Sequence, residues 1–142
     1  MSIGLAAART IVDEALAVGR QQGFKPLTVV VLDAGGHVVA AAREDGASNN
    51  RFEIAHGKAY GALALGMGSR ALMERAEQQA YFVTAAAAAL GGRLVPVPGG
   101  VIIRNGDGDV HGAVGISGDT SDNDETAAAK AIQSVGLEAQ VA

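Results

Sequence analysis

Apolar residues recur at helical spacing over the first twenty positions. Leu5, Ala8, Val12, Ala15 and Leu16 fall on one stripe, with Arg9, Asp13 and Arg20 mostly off it. This predicts an amphipathic helix with Ser2 as its N-cap. Gly23 fits a left-handed stop, Phe24 can fold back on the helix, and Pro26 forbids its continuation. The period then changes. Leu27 to Leu32 is a continuous apolar run, as expected of a strand buried on both faces. Asp33-Ala34-Gly35-Gly36 reads as a turn and His37 to Arg43 as a second strand. After a polar loop over 44–50, a helix is expected over 51–65. A short helix capped by Ser69 should run to Gln78, and another from Gln79 to Leu90.

A Pro/Gly connection leads to the second patterned block, 98–125. Val101, Ile102 and Ile103 form a β-branched run, and Asn105-Gly106 and Asp107-Gly108 are hairpin-turn dipeptides. Val110 to Ile116 alternates small or apolar residues with glycines, which lets another backbone or a ligand come close. Asp119, Asp122, Asp124 and Glu125 gather ahead of a helix expected over 126–135, where acids suit the helix dipole. The order helix, hairpin, helices, hairpin, helix predicts an α+β fold. It is read as a single domain over 1–142 with a central antiparallel sheet of PAS or profilin shape. A parallel α/β layer needs a helix between consecutive strands, and Gly35-Gly36 and Asn105-Gly106 leave no room for one.

Composition narrows the class. The 142 residues can bury a real core, but only 4% are aromatic. The core is therefore built from Ala, Val, Leu and Ile, which bury little area each at about 25 cal/mol per Å². A chain of this kind gains from burying more surface, so a homo-oligomer is expected. A net charge of −4 gives no footprint for nucleic acid. There is no Cys, no signal-peptide pattern and no apolar run of membrane-spanning length. A cytoplasmic protein without membrane partners is the expectation.

Several motifs fail on their own terms. Gly115-Ile116-Ser117-Gly118-Asp119 lacks the last glycine of a nucleophile elbow, so Ser117 reads as a strand-end residue. A calcium loop started at Asp107 meets Gly118 where glutamate is required. His37 and His111 sit in or beside hairpin turns, the ordinary place for a solvated imidazole. His56 is different. Phe52, His56 and Tyr60 follow at i, i+4 and i+8 on one helix face. Such a stripe is either a core or interface stripe, or the wall of a flat apolar cofactor with His56 as the axial metal ligand to iron. Lys58 lies about 160° around the helix from Tyr60. It is either a surface lysine or an anion anchor or proton-transfer group. Gly57 and Gly61, four apart, imply a helix pressed tightly on the sheet or on a partner subunit. Asp124 and Glu125 are first-turn helix acids, or else one is a general base near Gly99-Gly100 and Ser117.

In four stretches the chain resembles the GlcG/HbpS family, a heme-binding group that includes the C-terminal domain of PduO-type proteins. These are V-V-V-L-D-A-G-G-H-V-V-A at 29–40, R-E-D-G-A at 43–47, K-A at 58–59, and P-G-G-V-I-I…G-A-V-G-I-S-G…D-N-D-E over 98–125. The resemblance implies a compact α+β fold and assembly into dimers or larger homo-oligomers up to octamers. It carries Asp45-Gly46, Lys58, Gly99-Gly100, Gly115, Ser117 and Glu125 as family-pattern positions, with a departure at Asp119. Two functional expectations follow. One is a homo-oligomeric heme- or small-ligand-binding protein, with Phe52, His56, Tyr60, Gly99, Gly100 and Ser117 in the binding site and heme as candidate cofactor. The other is a cofactor-free isomerase- or lyase-type enzyme acting on a small oxygenated metabolite. Lys58 and Glu125 would be its catalytic groups, with the Gly99 and Gly100 amides as oxyanion donors.

Overall fold

The computed structural model describes residues 2–142. Helix α1 (Leu5–Gln22) leads into the hairpin β1 (Thr28–Asp33) and β2 (Val38–Arg43). Helices α2 (Arg51–Leu65), α3 (Ser69–Gln78) and α4 (Ala80–Ala89) precede a second hairpin, β3 (Gly100–Arg104) and β4 (Val110–Ser117). Helix α5 (Ser121–Ser134) and a short strand β5 (Glu138–Gln140) end the chain. This is an α+β fold on a five-stranded antiparallel sheet ordered β2-β1-β4-β3-β5.

The two hairpins join through β1 and β4, in register from Thr28 opposite Ser117 to Asp33 opposite Gly112. That pairing puts β1 inside the sheet, which explains its unbroken apolar run: Val29 to Leu32 are fully buried. Alternate residues face opposite layers. Val29, Val31, Val101, Ile103, Val114 and Ile116 pack under α1 and α5, whereas Val30, Leu32 and Ala113 pack on Ala55 and Ala59 of α2. Gly115 lies at the closest approach, since a Cβ there would overlap the Ala55 carbonyl oxygen.

Several local expectations need correction. Gly4, not Ser2, is the N-cap of α1; the Ser2 hydroxyl instead accepts the Ala34 N–H at 3.1 Å. Leu5, expected on the buried stripe, is 49% exposed, and Ile11 and Gly19 are buried in its stead. Ser69 caps nothing, because Gly68 is the N-cap of α3 and the serine side chain turns to the sheet. Helix α5 starts five residues earlier than expected, at Ser121, because the Thr120 hydroxyl accepts the Asn123 N–H. His111 lies beside the β3–β4 turn as expected, as the second residue of β4. Gly57 and Gly61 do not face the sheet. A Cβ at either would press on Val95 or Leu94 of the chain entering β3. The left-handed stop at Gly23 is as expected, with φ 72° and the Phe24 N–H returning to the Gly19 carbonyl. Helix α4 buries only Val83, leaving Tyr81 75% exposed on a nearly all-apolar helix.

Candidate functional site

Helix α2 carries two different faces. On the outer one the rings of Phe52 and His56 stack with centroids 5.8 Å apart, and those of His56 and Tyr60 at 5.6 Å. Tyr60 is held at both sides. The Arg93 guanidinium lies 4.1 Å over its ring, and its edge presses on Gly36 of the β1–β2 turn, where the positive φ and the lack of a side chain make room. Burial, and secondarily the Arg93 charge, hold the His56 imidazole below its ordinary pKa, so it is neutral near pH 7 with a nitrogen lone pair to offer. A hollow of about 120 Å³ adjoins Tyr60, lined by Gly35, Gly36, Leu63 and neighbouring alanines. Among the described residues, no group of three or more His, Asp or Glu is arranged to hold a bare metal ion.

The sheet-facing side of α2 carries Lys58, which is no surface lysine. Its side chain is 2% exposed, and Nζ donates to the Ile116 carbonyl at 2.9 Å and to Asp124 Oδ2 at 3.1 Å. Asp124 is as deeply buried, and its other oxygen accepts the Asp119 N–H at 3.0 Å. The pair therefore bridges α2 to the first turn of α5 past the end of β4. Burial pushes each partner toward its neutral form, Lys58 down and Asp124 up, while their mutual attraction opposes both shifts; the nearby Arg51 charge lowers Lys58 further.

Gly99 and Gly100 roof this pair. A Cβ on Gly99 (φ +122°) would sit 2.9 Å from Lys58 Nζ, and one on Gly100 would overlap the Lys58 carbonyl. Of the two amides expected as oxyanion donors, that of Gly100 is already used, as is the Gly99 carbonyl. The Gly100 N–H donates to Ser69 Oγ at 2.7 Å, and the Gly99 carbonyl accepts the Ile116 N–H. Ser117 ends β4, fully buried, and accepts a hydrogen bond from Arg51 Nη1 at 3.0 Å. Glu125 does not meet Lys58. It pairs with Arg70 at 2.9 Å at the surface, where Arg70 also holds Asp122. His37 is 81% exposed on its side chain and bonded only to Asp33, and Asp45 lies exposed beside the positive-φ turn at Gly46.

Sequence reasoning missed Arg51, Ser69, Arg93 and the pairing of Lys58 with Asp124. The burial of Lys58, though not its partner, had a readable signal: a lysine on the same helix stripe as Ala55, Ala59 and Ala62 must enter the core.

The model of the family described as "Haem degrading protein HbpS-like" matches residues 3–133. The chain belongs to the HbpS-like family. Its structure is similar to that of the PduOC:heme complex, at 24% identity and a TM-score of 0.86, over 96% of this chain and 97% of that one. It is also similar to protein ORFY of Klebsiella pneumoniae (25%, TM-score 0.83, covering 92% and 88%). A double mutant of Streptomyces reticuli HbpS follows (24%, TM-score 0.78, covering 95% and 87%). No curated protein matches. Within this HbpS-like chain the family-pattern positions 58, 99, 100, 115 and 117 converge on one end of the sheet, next to Asp124. The ring stripe of α2 looks the other way. Among the described residues, no helix is long and apolar enough to cross a membrane.

Proposed function

We propose that this protein binds heme or a related flat ligand on the outer face of α2, with His56 as axial ligand, and that it does so as a homo-oligomer. The observation that carries this reading is the Phe52–His56–Tyr60 stack, which holds a neutral imidazole between two rings. Bound heme would supply an iron able to take ligands or electrons; the chain's part is to present one nitrogen and a flat apolar wall. These residues fit that task, but one chain offers only one wall. The adjoining hollow of about 120 Å³ is well below the roughly 300–1,000 Å³ that encloses a drug-sized ligand. A second copy laid over the stripe supplies the other wall. The exposed apolar helix α4 and the half-exposed Phe52 support such an association. The family description and the heme complex of the similar PduOC protein point the same way.

The test is hemin titration of purified protein, followed in the Soret region, with sedimentation of the loaded sample. A saturable shift in the wild type that is lost in His56→Ala, together with a species larger than one chain, is expected. An unsaturable shift, or one indifferent to the substitution, refutes the assignment.

A second reading, a cofactor-free acid/base enzyme acting on a small oxygenated metabolite, is favoured by the buried Lys58–Asp124 pair beside Gly99-Gly100. Glu125, the other candidate group, is tied to Arg70 and does not meet Lys58. Turnover of any metabolite that survives Lys58→Met would end this reading.

A further inference from the structure

A cleft of about 200 Å³ opens where the α1–β1 connection, the β2–α2 loop and the end of β4 meet. Lys25, Pro26, Gly46, Ala47, Ser48, Arg51 and Gly118 line it. Arg51 is half-buried, and its two hydrogen bonds go to neutral groups: Nε to Ser48 Oγ at 3.1 Å and Nη1 to Ser117 Oγ at 3.0 Å. No carboxylate lies within ion-pair distance of it among the described residues, in a chain whose net charge is −4. A half-buried guanidinium carries five donors in a planar fork, shaped to grip a carboxylate or phosphate through two of them.

A second observation is independent of the first. Thr28 pairs with Ser117 across β1 and β4 and shares its face of the sheet, the face turned to α2. Thr28 is 1% exposed, and its hydroxyl has no hydrogen-bond partner among the described residues. Buried hydroxyls are ordinarily paired, and leaving one unpaired is costly. An orphaned hydroxyl, a buried serine and an uncompensated arginine thus gather at one end of the sheet. Two more cations stand near. Lys25 lines the cleft, and Arg43 Nη1 donates to the Ala47 carbonyl on its rim. Three acids stand near: Asp45 is exposed to water beside Gly46, and the other two already have partners. Asp119 already accepts from the Lys25 and Thr120 N–H groups and from Asn123 Nδ2, and Glu44 holds the Leu27 N–H and Arg20.

We propose that this cleft is an oxyanion subsite in which Arg51, flanked by Lys25 and backed by Ser117 and Thr28, receives the carboxylate or phosphate of a small ligand. It is separate from the ring stripe. Arg51 lies seven residues before Lys58 and so shares its sheet-facing side of α2, whereas His56 faces outward. At about 200 Å³ the cleft admits the charged end of a metabolite and excludes a porphyrin.

The test is an amide NMR titration of the full chain with acetate and with inorganic phosphate, each at constant ionic strength. Saturable shifts at the Gly46, Ser48 and Gly118 amides are expected with at least one anion, and whichever saturates identifies the group accepted. Arg51→Met should weaken binding about tenfold or more, the scale of a charge-assisted hydrogen bond. Arg51→Lys should weaken it less, and His56→Ala not at all. Linear drift with both anions, or the same affinity in Arg51→Met, overturns the proposal. If Arg51→Met does not fold, Arg51→Lys and Lys25→Met decide, and unchanged affinity in both is equally fatal.

Discussion

Replacing Asp124 with asparagine removes the counter-charge of Lys58 yet keeps an oxygen for the Asp119 N–H. The ammonium then stays 2% exposed with one acceptor at 2.9 Å, the Ile116 carbonyl. Removing one partner of a buried ion pair costs about 3–5 kcal/mol. Asparagine falls at the lower end, about 3 kcal/mol, because one of the two hydrogen bonds to Asp124 survives. At about 2–4 °C per kcal/mol for a chain near this size, the midpoint drops by about 6–12 °C. The pH dependence separates this cause from mere loss of packing. Burial already lowers the Lys58 pKa, and the opposing pull of Asp124 is gone in the variant, so Lys58 deprotonates earlier in the folded state. Between that lowered value and the unfolded value of about 10.4, the unfolded chain binds more protons, and stability rises with pH. The gap between variant and wild type therefore narrows from about pH 7 to about pH 9.5. Urea unfolding followed by circular dichroism at both pH values measures it. A gap under about 1 kcal/mol, or one that widens with pH, refutes the account.

Gly115→Ala places a methyl group on the Ala55 carbonyl and must push α2 off β4. A loss of about 3 kcal/mol or more, or insoluble protein, is expected; near-wild-type unfolding would contradict the packing. Arg70→Ala breaks ion pairs whose members are 15–76% exposed on their side chains, so thermal unfolding should register about 1 kcal/mol or less, shrinking further at about 1 M salt. For hemin, protons compete with iron for the His56 nitrogen. With that imidazole held below its ordinary value, the midpoint of the acid-side loss of affinity should lie below about pH 6.5. A midpoint at or above about pH 6.5 would show an imidazole titrating at or above its ordinary value.

The readable parts of this fold are those with local causes. The run Thr28 to Leu32 announced a strand covered on both sides, and Gly23 with Pro26 announced the end of α1. Strand β5 had no such signature. Three residues, Glu138-Ala139-Gln140, are too short for alternation to show, and they are a strand only because β3 offers a free edge. The candidate site divides the same way. The stack of Phe52, His56 and Tyr60 follows from spacing along one helix, so it was visible at once. Lys58 and Asp124 are separated by 66 residues, and nothing local couples them. The two helical glycines signalled a close approach, but not that Val95 and Leu94 would make it.

The strand order has a consequence for synthesis. Strand β1 gains its second neighbour only when β4 exists, and Thr28 is 89 residues upstream of its partner Ser117. At about 5–20 residues per second, a ribosome takes roughly 4–18 s to cover that distance. Throughout that interval Val29-Val30-Val31-Leu32 shows one unpaired edge, in a window free of charge and of proline. The danger of misassociation is thus greatest on the nascent chain. It is governed by translation speed and by whatever shields that edge, not by how firmly the finished sheet holds together.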